Sequence, residues 1–289
     1  MPSTDPPGPG DPTNALPPEG VRADWLRLDP RRPEQVPLRC WWARPAHGSP
    51  RGGVLVLPEV FGINRWVRGV AERLAAEGYG ALAVPLYGRT APELELGYGP
   101  EDLALGRRHK ERTRTDQLLS DGALAADWLQ GQLVPTGTGA PPPGLGCVGF
   151  CFGGHVALLA ATLPQVKASV AFYGAGVASG RPGGGPPSLA LVPAIAGSLL
   201  CICGSEDALI PPADVAAIEA TLAAANAGRS AAPAGPAPHR LVVLEAGHGF
   251  MCAERPDHRP AAAAAGWELL LDHFLRERVN GRGPGPVGS

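Results

Sequence analysis

Short apolar runs alternate along the chain with segments whose apolar positions recur every three to four residues. The runs at Leu38–Ala43, Gly53–Leu57, Gly80–Leu86, Gly144–Phe150, Ala168–Tyr173, Ser198–Cys203 and Arg240–Glu245 are rich in Val, Leu, Ile and Cys, with little polar alternation. Strands buried on both faces have this pattern, as in a parallel sheet covered by helices. Helical spacing falls between the runs. Asn64 is placed to cap a helix reaching about Glu77, with Trp66, Val67, Val70 and Leu74 on one face and Gly78 as its stop. Thr115–Gln130, Gly153–Leu163, Pro212–Ala225 and Ala261–Glu277 follow as further helices. The alternation predicts one doubly wound α/β domain over residues 21–280, with a mostly parallel sheet and helices on both faces.

Outside this pattern the chain is Pro/Gly-rich. Residues 1–20 and 281–289 lack periodicity and read as a disordered tail and a flexible C-terminal tail. Gly174–Pro187 and Ala227–Pro238 are low-complexity insertions, expected as surface loops. Thr90–Arg114 is charged and punctuated by Gly and Pro, which fits a lid or an irregular helical excursion.

Composition narrows the function classes. The 289 residues are 44% hydrophobic with a net charge of −2, which fits a globular domain and gives no basic excess for nucleic acid. No apolar run approaches the roughly 20 residues of a spanning helix, and the N-terminal segment lacks the features of a signal peptide. The expectation is a cytoplasmic protein, a monomer or small homo-oligomer, with no nucleic-acid or membrane partner. Six cysteines (Cys40, Cys147, Cys151, Cys201, Cys203 and Cys252) lie mostly in strand-like runs and are expected to be reduced. Cys201 and Cys203 have no second pair at metal-ligand spacing. No metal or cofactor is expected.

Chemistry concentrates in LGCVGFCFGGH, where an apolar strand turns sharply into a helix. Gly149-x-Cys151-x-Gly153 has the spacing of the nucleophile elbow of α/β hydrolases, with Cys in place of Ser. The turn needs neighbours without side chains, which Gly149 and Gly153 supply, and Gly154 lets the helix pack close to the sheet. The helix N-terminus points N–H groups at the sulfur and favours thiolate. Read alone, the stretch is equally a small buried thiol in a packed turn. A nucleophilic thiol needs a base and a group to orient it. Asp207 follows the run SLLCIC, with Glu206 as its near competitor, and His248 follows LVVLEAG between two glycines. Both fall at carboxyl ends of strands, where such sheets gather catalytic groups. Glu59 also ends a strand-like run, after GGVLVLP. The remaining histidines, His47, His109, His155, His239, His258 and His273, lack this context and are expected to be solvated. By the elbow geometry the Phe152 amide is one oxyanion donor.

Four stretches in order resemble the dienelactone hydrolase family of α/β hydrolases: PEVFGIN (Pro58–Asn64), GFCFGG (Gly149–Gly154), GSEDALIPP (Gly204–Pro212) and AGHGFMC (Ala246–Cys252). FYG (Phe172–Gly174) and LYGR (Leu86–Arg89) add to the resemblance, which runs from about Val36 to Leu275. It implies the α/β-hydrolase fold and a Cys151–His248–Asp207 triad acting on an ester or lactone through a thioester. It also implies that Glu59 contacts the resting thiol and helps substrate trigger thiolate formation, and that Val60 supplies the second oxyanion amide. Family members that take carboxylate-bearing dienelactones bind the carboxylate with arginines. Here the position four after His248 is Cys252 and the nearest arginine is Arg255; Arg89 and, before the Thr115 helix, Arg107, Arg108, Arg112 and Arg114 are the other candidates for that role, with Arg108 taken from among those four. The competing expectations are a carboxylesterase of the same fold with another substrate, and a non-catalytic protein using Cys151 as a redox-sensing thiol.

Overall fold

The computed structural model describes residues 17–133, 144–229, 235–277 and 279. The expected tails at 1–20 and 281–289 lie outside the described residues, apart from 17–20, as does 230–234 of the second insertion. The described chain builds one eight-stranded sheet. Its strands are β1 (Val21–Leu28), β2 (Leu38–Pro45), β3 (Gly53–Leu57), β4 (Gly80–Ala83), β5 (Leu145–Phe150), β6 (Val166–Phe172), β7 (Ser198–Gly204) and β8 (Arg240–Leu244). Their order is β1-β2-β4-β3-β5-β6-β7-β8. β2 runs antiparallel to β1 and β4, and every pairing from β4 to β8 is parallel. This is the doubly wound, mostly parallel sheet that the apolar runs predict.

The helices are α1 (Arg65–Ala76), α2 (Pro100–Lys110), α3 (Thr115–Gln132), α4 (Phe152–Ala160), α5 (Pro212–Ala227) and α6 (Pro260–Arg276). α1 and α6 meet on one face of the sheet, where the Arg73 guanidinium lies 3.8 Å from the Trp267 ring centre and Tyr79 packs against Phe274. α3 and α4 pack together on the other face, and α5 and α4 both rest there on the 3-10 turn Ser188–Ala194. Asn64 caps α1 as expected, its Oδ1 accepting from the Val67 amide at 3.2 Å. Residues of β3, β4, β5 and β7 are buried throughout, which explains the unbroken apolar runs.

Two elements depart from the apolar-run reading. β1 is an edge strand with exposed and half-buried positions, VRADWLRL, so its signal is alternation and not continuous apolarity. Thr90–Arg114 contains the regular helix α2, with Pro100 in its first turn, Glu101 and Asp102 after it and a basic last turn, Arg107 to Lys110. These charges complement the helix dipole and mark the helix where hydrophobic periodicity does not.

His155, His239 and His273 are buried, not solvated. His155 Nδ1 donates to the Ala175 carbonyl at 3.1 Å and Nε2 meets the Ser188 hydroxyl at 2.7 Å, tying the Gly174–Pro187 insertion to α4. His239 Nδ1 accepts from the Leu199 amide, and His273 Nε2 meets the Ser198 hydroxyl. Burial drives the pKa of each down from near 6.5 to about 4. The folded state keeps these rings neutral while the unfolded chain protonates near pH 6.5. The unfolded state therefore binds more protons between pH 6.5 and 4, and stability is lost as pH falls through that window. The urea midpoint is expected to drop steeply from pH 7 to pH 4.5, and His273→Gln to flatten that limb. A parallel acid limb in the variant counts against this account.

Candidate active site

The sheet register brings the ends of the parallel strands level: Leu57 pairs with Gly149, Phe150 with Phe172 and Gly204 with Leu244. The residues that follow these ends, Glu59, Cys151, Tyr173, Asp207 and His248, are gathered at the carboxyl edge of the sheet. Beneath them lies an aromatic layer. Phe150 stacks on Phe172 at 5.2 Å, Trp66 meets Phe150 edge-on at 4.8 Å, and Phe250 meets both Phe172 and Tyr173 edge-on.

Cys151 sits between β5 and α4 at φ 54°, ψ −115°. A side-chain-bearing residue in this region costs about 1–3 kcal/mol and is held there by its surroundings. The surroundings are backbone. A Cβ on Gly149 would lie 1.9 Å from the Gly153 carbonyl oxygen, one on Gly153 2.2 Å from that of Leu57, and one on Gly154 2.3 Å from that of Phe172. The glycines thus let the first turn of α4 touch β5, β3 and β6 at once. The Cys151 amide donates to the Phe172 carbonyl at 3.1 Å, and its own carbonyl accepts from His155 in the first turn of α4. Of the six cysteines, Cys151 alone is not buried.

His248 Nδ1–H donates to Asp207 Oδ2 at 2.8 Å, and the other Asp207 oxygen accepts from the Leu209 amide at 2.8 Å. The Asp207 carboxylate is fully covered. Glu206, its sequence competitor, is exposed. Burial alone would lower the His248 pKa. The Asp207 hydrogen bond, then Cys151, then the Asp207 charge reverse this and carry it up to about 10. Nε2 is buried and makes no hydrogen bond within normal limits among the described residues, and Cys151 lies close enough to the ring to raise its pKa. The Tyr173 ring stands edge-on to the imidazole at 5.1 Å. Tyr173 has φ 38°; among the described residues it and Cys151 are the two non-glycines at positive φ.

Glu59 is wholly buried beside this pair. Burial raises its pKa, opposed by the charges of Arg255 and His248 and by the Arg255 hydrogen bond. Its Oε1 accepts from Arg255 Nη1 at 3.0 Å, while Oε2 has no hydrogen-bond partner among the described residues. Arg255 reaches Glu59 through two successive turns, Cys252 N to Gly249 O and Arg255 N to Cys252 O, which fold the guanidinium back over Gly249. A Cβ on Gly249 would lie 2.5 Å from Arg255 Cζ. Cys252 itself is buried, and burial pushes its thiol up to about 11.

The other two candidate arginines lie elsewhere. Arg89 is engaged by the buried Asp121 carboxylate and by the Glu34 carbonyl, which commits its donors to holding the β4 exit against α3. Arg108 is exposed on α2. α2 itself forms a wall of the site: a Cβ on Gly106 would lie 2.3 Å from the Val60 carbonyl oxygen, and Lys110 Nζ sits 5.5 Å from the Phe152 ring centre. The Val60 and Phe152 amides make no backbone hydrogen bond among the described residues. Sequence reasoning missed Tyr87 and Tyr173. Their position in LYGR and FYG is visible, but nothing in a lone tyrosine marks a hydroxyl that will be buried without a partner.

The likeness to known proteins follows the same lines. Residues 38–277 match the model of the dienelactone hydrolase family. A Synechocystis protein named "Putative carboxymethylenebutenolidase" is 38% identical over 225 residues, 78% of this chain and 85% of its own. A Bradyrhizobium protein named "Probable 2-oxo-3-(5-oxofuran-2-ylidene)propanoate lactonase" is 28% identical over 269 residues, 91% of this chain and 98% of its own. Among solved structures, a "Putative Dienelactone Hydrolase" from Klebsiella pneumoniae superposes with a TM-score of 0.73 at 27% identity, covering 89% of this chain and 99% of the other. Strand order, elbow and the family match over most of the chain agree, and the chain belongs to the dienelactone hydrolase family of α/β-fold hydrolases.

Proposed function

We propose that the protein hydrolyses enol-lactones or activated esters that carry a carboxylate, through a thioester on Cys151. The observation that carries this reading is the pairing of a half-exposed thiol at a helix N-terminus with a histidine whose far nitrogen is anchored on Asp207. His248 takes the Cys151 proton, and the thiolate attacks the carbonyl carbon. The resulting oxyanion sits against the Phe152 and Val60 amides. Its collapse breaks the acyl C–O bond; the leaving enolate takes the proton from His248 and relaxes to the ketone. Neutral His248 then takes a proton from water, hydroxide attacks the thioester, and release of the acid returns that proton to sulfur. Asp207 holds the tautomer and balances the imidazolium charge throughout. An enolate leaves readily, which suits a thiolate nucleophile; amides leave poorly and are expected to be inert.

The Arg255–Glu59 pair supports the preference for an anionic substrate. An incoming carboxylate competes with Glu59 for the guanidinium. Freed of Arg255, Glu59 is a buried charge without a partner and moves further toward its protonated form. It then competes for the Cys151 proton only when an anionic substrate is in place. The Bradyrhizobium relative's named substrate is a carboxylate-bearing enol-lactone, which agrees with this class.

Cys151→Ala is expected to lose at least about 10³-fold in turnover. Intact-mass measurement of the native enzyme during turnover is expected to find an acyl adduct on Cys151. Full activity in the alanine variant, or an adduct elsewhere, refutes the mechanism. The same variant removes two of the influences that raise the His248 pKa, so the histidine is expected to titrate well below about 10 when followed by NMR. Arg255→Gln is expected to raise KM for a carboxylate-bearing enol-lactone about 10–100-fold, the worth of one charged hydrogen bond, and to leave KM for its methyl ester nearly unchanged. Equal losses on both substrates argue against a carboxylate subsite at Arg255.

A further inference from the structure

Two tyrosine hydroxyls at the carboxyl edge of the sheet, those of Tyr87 and Tyr173, are buried and have no hydrogen-bond partner among the described residues. Buried hydroxyls are almost always paired, so an unpaired one at a reaction centre calls for a functional account. The sheet order separates the two. Tyr173 follows β6, on the side of β5 that leads to Asp207 and His248, and its ring stands against the imidazole. Tyr87 follows β4, on the opposite side, beyond the β3 end that carries Glu59 and Val60. From there its ring crosses to the nucleophile's neighbour: it lies parallel to the Phe152 ring, 6.1 Å between centres and 7° between planes. Tyr87 is thus fixed against Phe152, the residue after Cys151, and is close enough to Cys151 to feel its charge.

The backbone and ring of Tyr87 are both tied down. Its carbonyl accepts from the amides of Thr90 at 3.0 Å and Ala91 at 2.8 Å, and its ring also meets His109 of α2 at 5.8 Å. The residue is 2% exposed. Rigid placement of a donor before the reaction is what makes such a group effective, because no reorganisation is needed when charge develops.

We propose that the Tyr87 hydroxyl is a third donor of the oxyanion hole, reaching the developing oxyanion together with the Phe152 and Val60 amides. The proposal rests on Cys151 being the nucleophile. Burial raises the phenol pKa far above its ordinary value, and the negative charge of Cys151 adds to this, so the hydroxyl keeps its proton at every working pH. It donates without titrating, and it contributes no ionisation of its own to the pH profile. Because no group among the described residues accepts from it, removing the hydroxyl breaks no hydrogen bond described in the resting fold.

Tyr87→Phe tests this directly. The expected result is a fall in kcat of about 10²-fold with KM little changed and an unaltered thermal midpoint. A second measurement reads the tetrahedral state itself. A trifluoromethyl ketone adds reversibly to the thiolate to give an oxyanion adduct. Its affinity is expected to fall by the same factor in Tyr87→Phe, while the affinity of the product carboxylic acid is unchanged. Full kcat in the variant, or a lower kcat with undiminished ketone affinity, overturns the proposal. So does a thermal midpoint that falls with kcat, which would make the hydroxyl structural. Cys151→Ala keeps the two readings apart: if it stays active, the nucleophile assignment has failed; if it is dead and Tyr87→Phe is fully active, only the Tyr87 role has.

Discussion

Everything at the carboxyl edge of this sheet depends on one contact, the backbone-to-backbone packing of the first turn of α4 against β3, β5 and β6. Three glycines permit it, and Cys151 is held at φ 54° as its result. Local preference would not place a cysteine there. The conformation persists because the parallel pairings on both sides of β5 leave the chain no other exit toward α4. The same contact sets the amide of Phe152, the direction of the sulfur and the distance from β7 and β8 across which His248 and Asp207 must reach. The strain is local, and the whole sheet supports it.

A division of labour across the sheet follows from strand order. The β4 and β3 ends supply Tyr87, Glu59 and Val60 on one side of the sulfur, and the β6, β7 and β8 ends supply Tyr173, Asp207 and His248 on the other. In the proposed mechanism the oxyanion donors Tyr87 and Val60 and the Asp207–His248 pair are therefore carried on different halves of the sheet. α2 covers the first half, and the loop from His248 to Arg255 reaches across to it through the Arg255–Glu59 hydrogen bond. Arg65 pairs with Glu254 at 3.1 Å, so that loop is also tied to the start of α1 on the far face.

Much of this was legible before any coordinates. The central strands are buried on both faces, so their composition alone announces them, and Gly149-x-Cys151-x-Gly153 with Asp207 and His248 in hydrolase order marks the strand-end chemistry. What escaped did so for physical reasons. β1 lies at the sheet edge, half wet, and its pattern is alternation. α2 is held by its charges and its close approach to Val60, not by an apolar stripe. His155 and His273 are core residues because Ser188 and Ser198, distant in sequence, complete their hydrogen bonds. Arg89 looked available and is committed to Asp121, a pairing between the β4 exit and α3 that no spacing rule displays.

The two turns that fold Arg255 back over Gly249 decide which residue delivers charge to Glu59. The position four after the histidine holds a buried thiol, Cys252, and the cation beside Glu59 comes from three residues further along. The corner beside Glu59 thus receives its positive charge through the curl of a loop, and the residue four after His248 is left to pack in the core.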